Sequence, residues 1–142
     1  MEFEFDTSER CNYIYLIHLE KFEKLNLPIY KFGKTYRLNN RFKEYPRNGV
    51  IYYVCRVKDC LYVEDEIKKA FIKYFVHKKE YGYEYFEGQL SKMIKCIDAL
   101  IDHLDQRVDD NNLVGKMKKY YSKFHRIKIG EINDILTIQN VF

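Results

Sequence analysis

The sequence predicts a mixed α/β (α+β) domain: a small, mainly antiparallel central sheet flanked by helices, with a helical C-terminal extension. Three observations carry that expectation. Short runs of β-branched and aromatic residues at 12–18, 29–32 and 50–57 have the composition of strands. Apolar residues recur at helical spacing at Leu38, Phe42 and Tyr45, and again over 63–75 and 90–108. The first two strand-like runs are joined by a charged connection, 19–28, which suits an antiparallel hairpin with a long tip.

Composition narrows the class. The 142 residues suffice for one domain with a core and a helical appendage. Hydrophobic residues make up 46%, which excludes a disordered tail. A net charge of +4 is too small to identify a nucleic-acid partner by itself, so its placement matters more. The excess is local: Lys31 to Arg47 holds six Lys or Arg residues against one acid, Glu44. The 14 Tyr and 10 Phe read in the first place as strand and core residues. Cys11, Cys55, Cys60 and Cys96 lack a paired C-x-x-C spacing and read as free thiols in a reducing compartment. The acidic N-terminus has no apolar signal region, and no run approaches the ~18 apolar residues of a membrane span. The expected location is intracellular, without a membrane partner.

In chain order, residues 1–10 read as an extended acidic lead-in and 12–18 as a central strand. The second strand, 29–32, leads to Gly33, expected to turn the backbone into a basic helix that ends near Tyr45. On that helix Arg41 falls about 65° from the centre of the apolar face and Arg37 more than about 100° away. Arg41 therefore points toward the sheet and Arg37 toward solvent. Pro46 and Arg47-Asn48-Gly49 end the helix. After the strand at 50–57, Lys58-Asp59 reads as a turn into a helix over 63–75, with Ile67, Ala70, Phe71, Tyr74 and Phe75 as its stripe. Glu64 lies about 50° from the stripe centre, Glu66 just over about 100°, and Asp65 on the far side. An inward carboxylate needs a cation, a metal or a donor. His18 and His77 read as surface or hydrogen-bonded histidines. Residues 83–88 read as a short strand closed by Gly88, and 90–108 as the clearest helix. The tail carries a basic, Tyr-rich tract from Lys116 to Lys128 and a short helical segment near 132–138.

Taken in order, these residues resemble a GIY-YIG nuclease domain, in particular the T5orf172 branch. Tyr13-Ile14-Tyr15 matches the first signature and Lys31-Phe32-Gly33-Lys34-Thr35 the second. Arg41 stands eight residues past Gly33, where the family places its arginine. Glu64 opens a helix where the family places its metal carboxylate, and Glu84-Tyr85-Phe86 resembles the branch's closing motif. Tyr13 replaces a signature glycine, and Lys31 stands where the second signature has tyrosine, a common substitution in this branch. The likeness covers residues 12–88, which divides the chain into a nuclease-like domain, 1–88, and a helical extension, 89–142, packed on it.

The resemblance implies hydrolysis of DNA phosphodiester bonds with one divalent metal, Mg²⁺ or Mn²⁺. Such chemistry needs a base for water, cations for the developing charge, and a metal at the phosphate. The expected roles are Tyr15 as base, Lys31 lowering its proton affinity, Arg41 on the pentacovalent phosphate, and Glu64 as metal ligand. Lys34, Arg37, Lys43 and Tyr45 would line the site or contact phosphates. Two other readings stay open. One is a nuclease-derived nucleic-acid-binding module without turnover. The other is an interaction domain, with a homodimer formed through the 90–108 helix if its apolar stripe is exposed.

Overall fold

In the computed structural model, which describes residues 12–108 and 127–134, six antiparallel strands form one sheet. Its centre is β1, Tyr13–His18, whose side chains are all buried. Strands β2, Ile29–Thr35, and β3, Val50–Arg56, pair with β1 on either side, so the expected antiparallel hairpin forms. Three short strands, β4 (Val76–His77), β5 (Tyr85–Glu87) and β6 (Ile127–Lys128), complete the order β4-β5-β2-β1-β3-β6. The acidic lead-in, Cys11 and the tail from 116 to 126 lie outside the described residues. So does the predicted tail helix beyond residue 134; residues 129–134 are helical.

Alternation along the strands builds two cores. One face of the sheet carries Tyr13, Tyr15 and Ile17, packed against Phe22, Leu38, Phe42, Ile127 and Ile132. The other carries Ile14, Leu16, Phe32, Tyr53 and Cys55, packed under two long helices, α3 (Cys60–Tyr74) and α4 (Leu90–His103). Besides the helical residues 129–134, two short helices are described: α1, Glu20–Leu25, and α2, Leu38–Phe42. The connection between β1 and β2 is thus a helix and not the expected loop, closed by Asn26 in the left-handed conformation at φ 51°.

Three expectations need correction. Gly33 makes no turn: β2 runs through it to Thr35, and its φ is not positive. It sits opposite Tyr15 in the ladder, and a Cβ there would lie 2.4 Å from the Tyr15 hydroxyl. The basic helix is consequently short, and Arg37 is its N-cap rather than part of it. Second, α3 starts at Cys60, because the Asp59 carboxylate caps it by accepting from the Leu61 and Tyr62 amides. Its buried stripe is Cys60, Val63, Ile67 and Phe71, and Tyr74 is 65% exposed. Third, the α4 stripe, Met93, Ile97 and Ile101, is consumed by the domain's own core. The exposed stripe that a homodimer through 90–108 would need is therefore largely covered within the domain.

The two histidines are bonded as expected. His18 is buried, with Nδ1 3.0 Å from Glu23 and Nε2 2.6 Å from the Leu27 carbonyl. His77 Nε2 lies 2.9 Å from the Tyr83 carbonyl. Cys55, Cys60 and Cys96 are free thiols.

Candidate active site

The Tyr15–Gly33 register creates the site. A strand residue with a side chain opposite Tyr15 would block its ring; glycine lets the ring lie flat over β2 and deliver its hydroxyl to the α2 side. Leu38 and Phe42, both fully buried, fix α2 over this ring, with Phe42 edge-on to Tyr15 at 5.5 Å. That placement aims Arg41 inward, and its Nε donates to the Tyr15 hydroxyl at 2.9 Å. The same guanidinium reaches outward to Glu44 at 2.7 Å. Arg41 pairs with Glu44 and not with Glu64.

Tyr45 completes the cluster. Its hydroxyl lies 2.7 Å from that of Tyr15 and accepts from Lys31 Nζ at 2.9 Å. Both Lys31 and Arg41 also lie over its ring, at 4.9 and 5.6 Å. The proton between the two hydroxyls can be assigned by satisfiability. Tyr15 is wholly buried, and a proton it withheld from Tyr45 would have no acceptor among the described residues. Tyr15 therefore donates to Tyr45, and the proton of the half-buried Tyr45 faces outward.

Proton affinities follow from burial first. Burial pushes the Tyr15 hydroxyl well up, helped by Tyr45, against the lowering pulls of Arg41 and Lys31. Lys31 does act in the expected direction, but burial outweighs it, and its ammonium bonds Tyr45 instead. Tyr45 is raised too, mainly by burial, with its bond to Tyr15 and the Arg41 charge opposing. Burial pulls Arg41 down, but its bond to Tyr15 and the surrounding acidic groups more than compensate, so it stays charged.

Glu64 belongs to a second group. It rises from α3, on the opposite sheet face from Tyr15, and its Oε1 accepts from Lys34 at 3.0 Å. Its side chain is only 15% exposed, against 68% for Asp65 and 28% for Glu66, the order the angular count predicts. Lys34 is likewise held protonated by Glu64 against the pull of burial. The two groups adjoin at an open pocket lined by Lys34, Thr35, Tyr36, Arg37, Asn40, Arg41 and Glu44. Arg37 is exposed at its wall, and Lys43 is exposed just after α2. Tyr15, Lys31, Arg41 and Tyr45 thus meet in one network, and Glu64 approaches through Lys34 alone. Among the described residues, no three His, Cys, Asp or Glu side chains cluster.

The T5orf172 domain model matches residues 12–101, spanning β1 to β5, both signature strands among them, and most of α4. The chain belongs to the T5orf172 domain family. This is a GIY-YIG-like, nuclease-associated family, and the T5orf172 match extends past residue 88, where the sequence alone suggested that the likeness ends. No curated protein and no solved structure matches the chain. No helix among the described residues is long and apolar enough to cross a membrane. Glu44, the partner of Arg41, is a residue that the expected site did not include. Its spacing of three residues from Arg41 on a helical stretch was the available signal.

Proposed function

We propose that this T5orf172 domain is a metal-dependent endonuclease that hydrolyses DNA phosphodiester bonds in the pocket beside Arg41. The observation that carries the reading is the hold of a buried tyrosine hydroxyl on Arg41 Nε, 2.9 Å away. It fixes a permanent cation at the pocket wall, leaving the terminal guanidinium nitrogens to face a ligand. Their present partner, Glu44, is 58% exposed, and such surface pairs contribute about 1 kcal/mol or less, so a phosphate displaces it easily.

The donor chemistry at Glu64 fits a hard divalent ion, since Mg²⁺ accepts one or two carboxylates and keeps several waters. Glu64 would hold Mg²⁺ or Mn²⁺, which would supply charge stabilisation at the phosphate and the leaving oxygen. Lys34 is a cation already seated at that carboxylate, and it moves to a phosphate oxygen when substrate enters. Arg41 binds the oxygens that gain charge in the pentacovalent state. Tyr15 orients Arg41 and donates to Tyr45, whose oxygen, once its outward-facing proton is lost to solvent and with Lys31 stabilising the anion, is the group placed to take the proton of the attacking water. Lys43 and Arg37 add sequence-independent attraction for the strand.

Supercoiled plasmid incubated with Mg²⁺ or Mn²⁺ is expected to be nicked or linearised, and EDTA to stop it. Plasmid left intact with either metal would contradict the reading. The pH profile offers a sharper check on the tyrosine role. Both hydroxyls are raised above their ordinary 10.0, so their ionised fraction grows throughout the neutral range. The logarithm of kcat/KM should climb by about one per pH unit from about pH 7 to about pH 9, without levelling. A plateau below about pH 8 would remove the tyrosine pair as the proton acceptor.

A binding module without turnover is the competing reading. The contact between Lys34 and Glu64 favours it, because a lysine seated on that carboxylate competes with a metal for it.

A further inference from the structure

We infer that a strip of lysines and tyrosines running from the pocket to the 78–84 loop binds an unpaired DNA strand flanking the cleavage point. This rests on the nuclease reading above and adds a preference among its DNA substrates for those with a single-stranded flank. The strip is continuous through printed contacts of the same kind. Lys31 Nζ lies over Tyr45 at 4.9 Å and over Tyr85 at 5.7 Å. Tyr85 is shared with Lys21, whose Nζ lies 5.9 Å from it and 5.2 Å from Tyr81. Tyr85 sits directly opposite Lys31 in the β2–β5 ladder, so the register itself joins the pocket to the far end.

Several lysines of the domain are already engaged by acids. Lys24, Lys34, Lys58, Lys69 and Lys78 each have a carboxylate within 4 Å. Among the described residues neither Lys21 nor Lys31 has one; both lie on tyrosine rings instead. Their charges remain available to phosphates. The Tyr81 ring, packed edge-on against Phe22 at 4.9 Å, is held in place and still 42% exposed. A duplex presents only its phosphates to such a surface, because its bases are stacked on each other. An unpaired strand can use both halves, its phosphates on the lysines and a base face on Tyr81.

The test is fluorescence anisotropy of the full chain in EDTA, with a blunt duplex and the same duplex carrying a short single-stranded flank at either end. The flanked duplex is expected to bind about ten-fold tighter than the blunt one. Tyr81→Ala should reduce that preference to near unity, and Tyr81→Phe, which keeps the ring, should retain it. Lys21→Gln should lower the salt slope on the flanked duplex by about one. Equal affinity for the two duplexes would overturn the proposal, as would a preference that survives Tyr81→Ala in a chain with unchanged melting. Metal is then added to the same probes. A flank preference without cutting contradicts the nuclease reading and leaves the strip; cutting with no flank preference does the reverse.

Discussion

Arg41→Ala is expected to lower cleavage by about 10²–10³-fold while weakening DNA binding only a few-fold. The asymmetry follows from its position. Binding draws on several cations around the pocket, so the loss of one is diluted. Turnover depends on the one guanidinium held rigidly by the Tyr15 hydroxyl at 2.9 Å. Arg41→Lys separates charge from geometry. It keeps the cation but cannot bond Tyr15 and a phosphate through one planar group, so most of the loss should remain. Rates come from single-turnover cleavage and affinities from anisotropy in EDTA. A loss of binding as large as the loss of rate would make Arg41 a phosphate contact and nothing more.

Gly33→Ala should be the most damaging small substitution for the fold near the site. The added methyl would lie 2.4 Å from the Tyr15 hydroxyl and 2.5 Å from its ring carbon Cζ. Neither side can yield freely, because Gly33 and Tyr15 are paired in the ladder and the ring is wholly buried. Overpacking of this kind costs about 1–3 kcal/mol, and a drop in Tm of roughly 3–10 °C is expected. Activity should fall further than stability, since a displaced ring releases Arg41. Tyr15→Phe leaves the ring carbon in place and cannot relieve the clash, whereas Tyr15→Val in the alanine background should recover part of the Tm. An unchanged Tm for Gly33→Ala would show that the ring does not rest on the strand as described.

Much of this was legible in the sequence, for physical reasons that differ between residues. The inward lean of Arg41 and the burial order of Glu64, Glu66 and Asp65 follow from helical periodicity, which survives errors in helix bounds. Gly33 was misread because a turn glycine and a glycine under an aromatic ring look alike until the strand register is known. Tyr74 falls on the expected stripe by angle but is the last residue of α3, and periodicity gives the face a residue takes without saying whether anything still covers it there. The periodicity of α4 was plain, but periodicity says only that a face is buried, not by what; α3 and the sheet take the place of a second copy. Lys31 bonding Tyr45 instead of Tyr15, and Lys21 meeting Tyr81, depend on pairings between distant segments that no local pattern encodes.

The central claim is that Arg41 at the pocket wall and Glu64, reached through Lys34 from the other face of the sheet, make a metal-dependent phosphodiesterase. Its most direct test is plasmid cleavage across a Mn²⁺ titration by wild type and Glu64→Ala, with DNA affinity measured on the same samples. Wild type should cut with a saturable metal dependence, and Glu64→Ala should bind DNA at least as well while cutting about 10²-fold less or not at all. Salt-sensitive binding by both proteins, with no metal-dependent cutting by either, would contradict it.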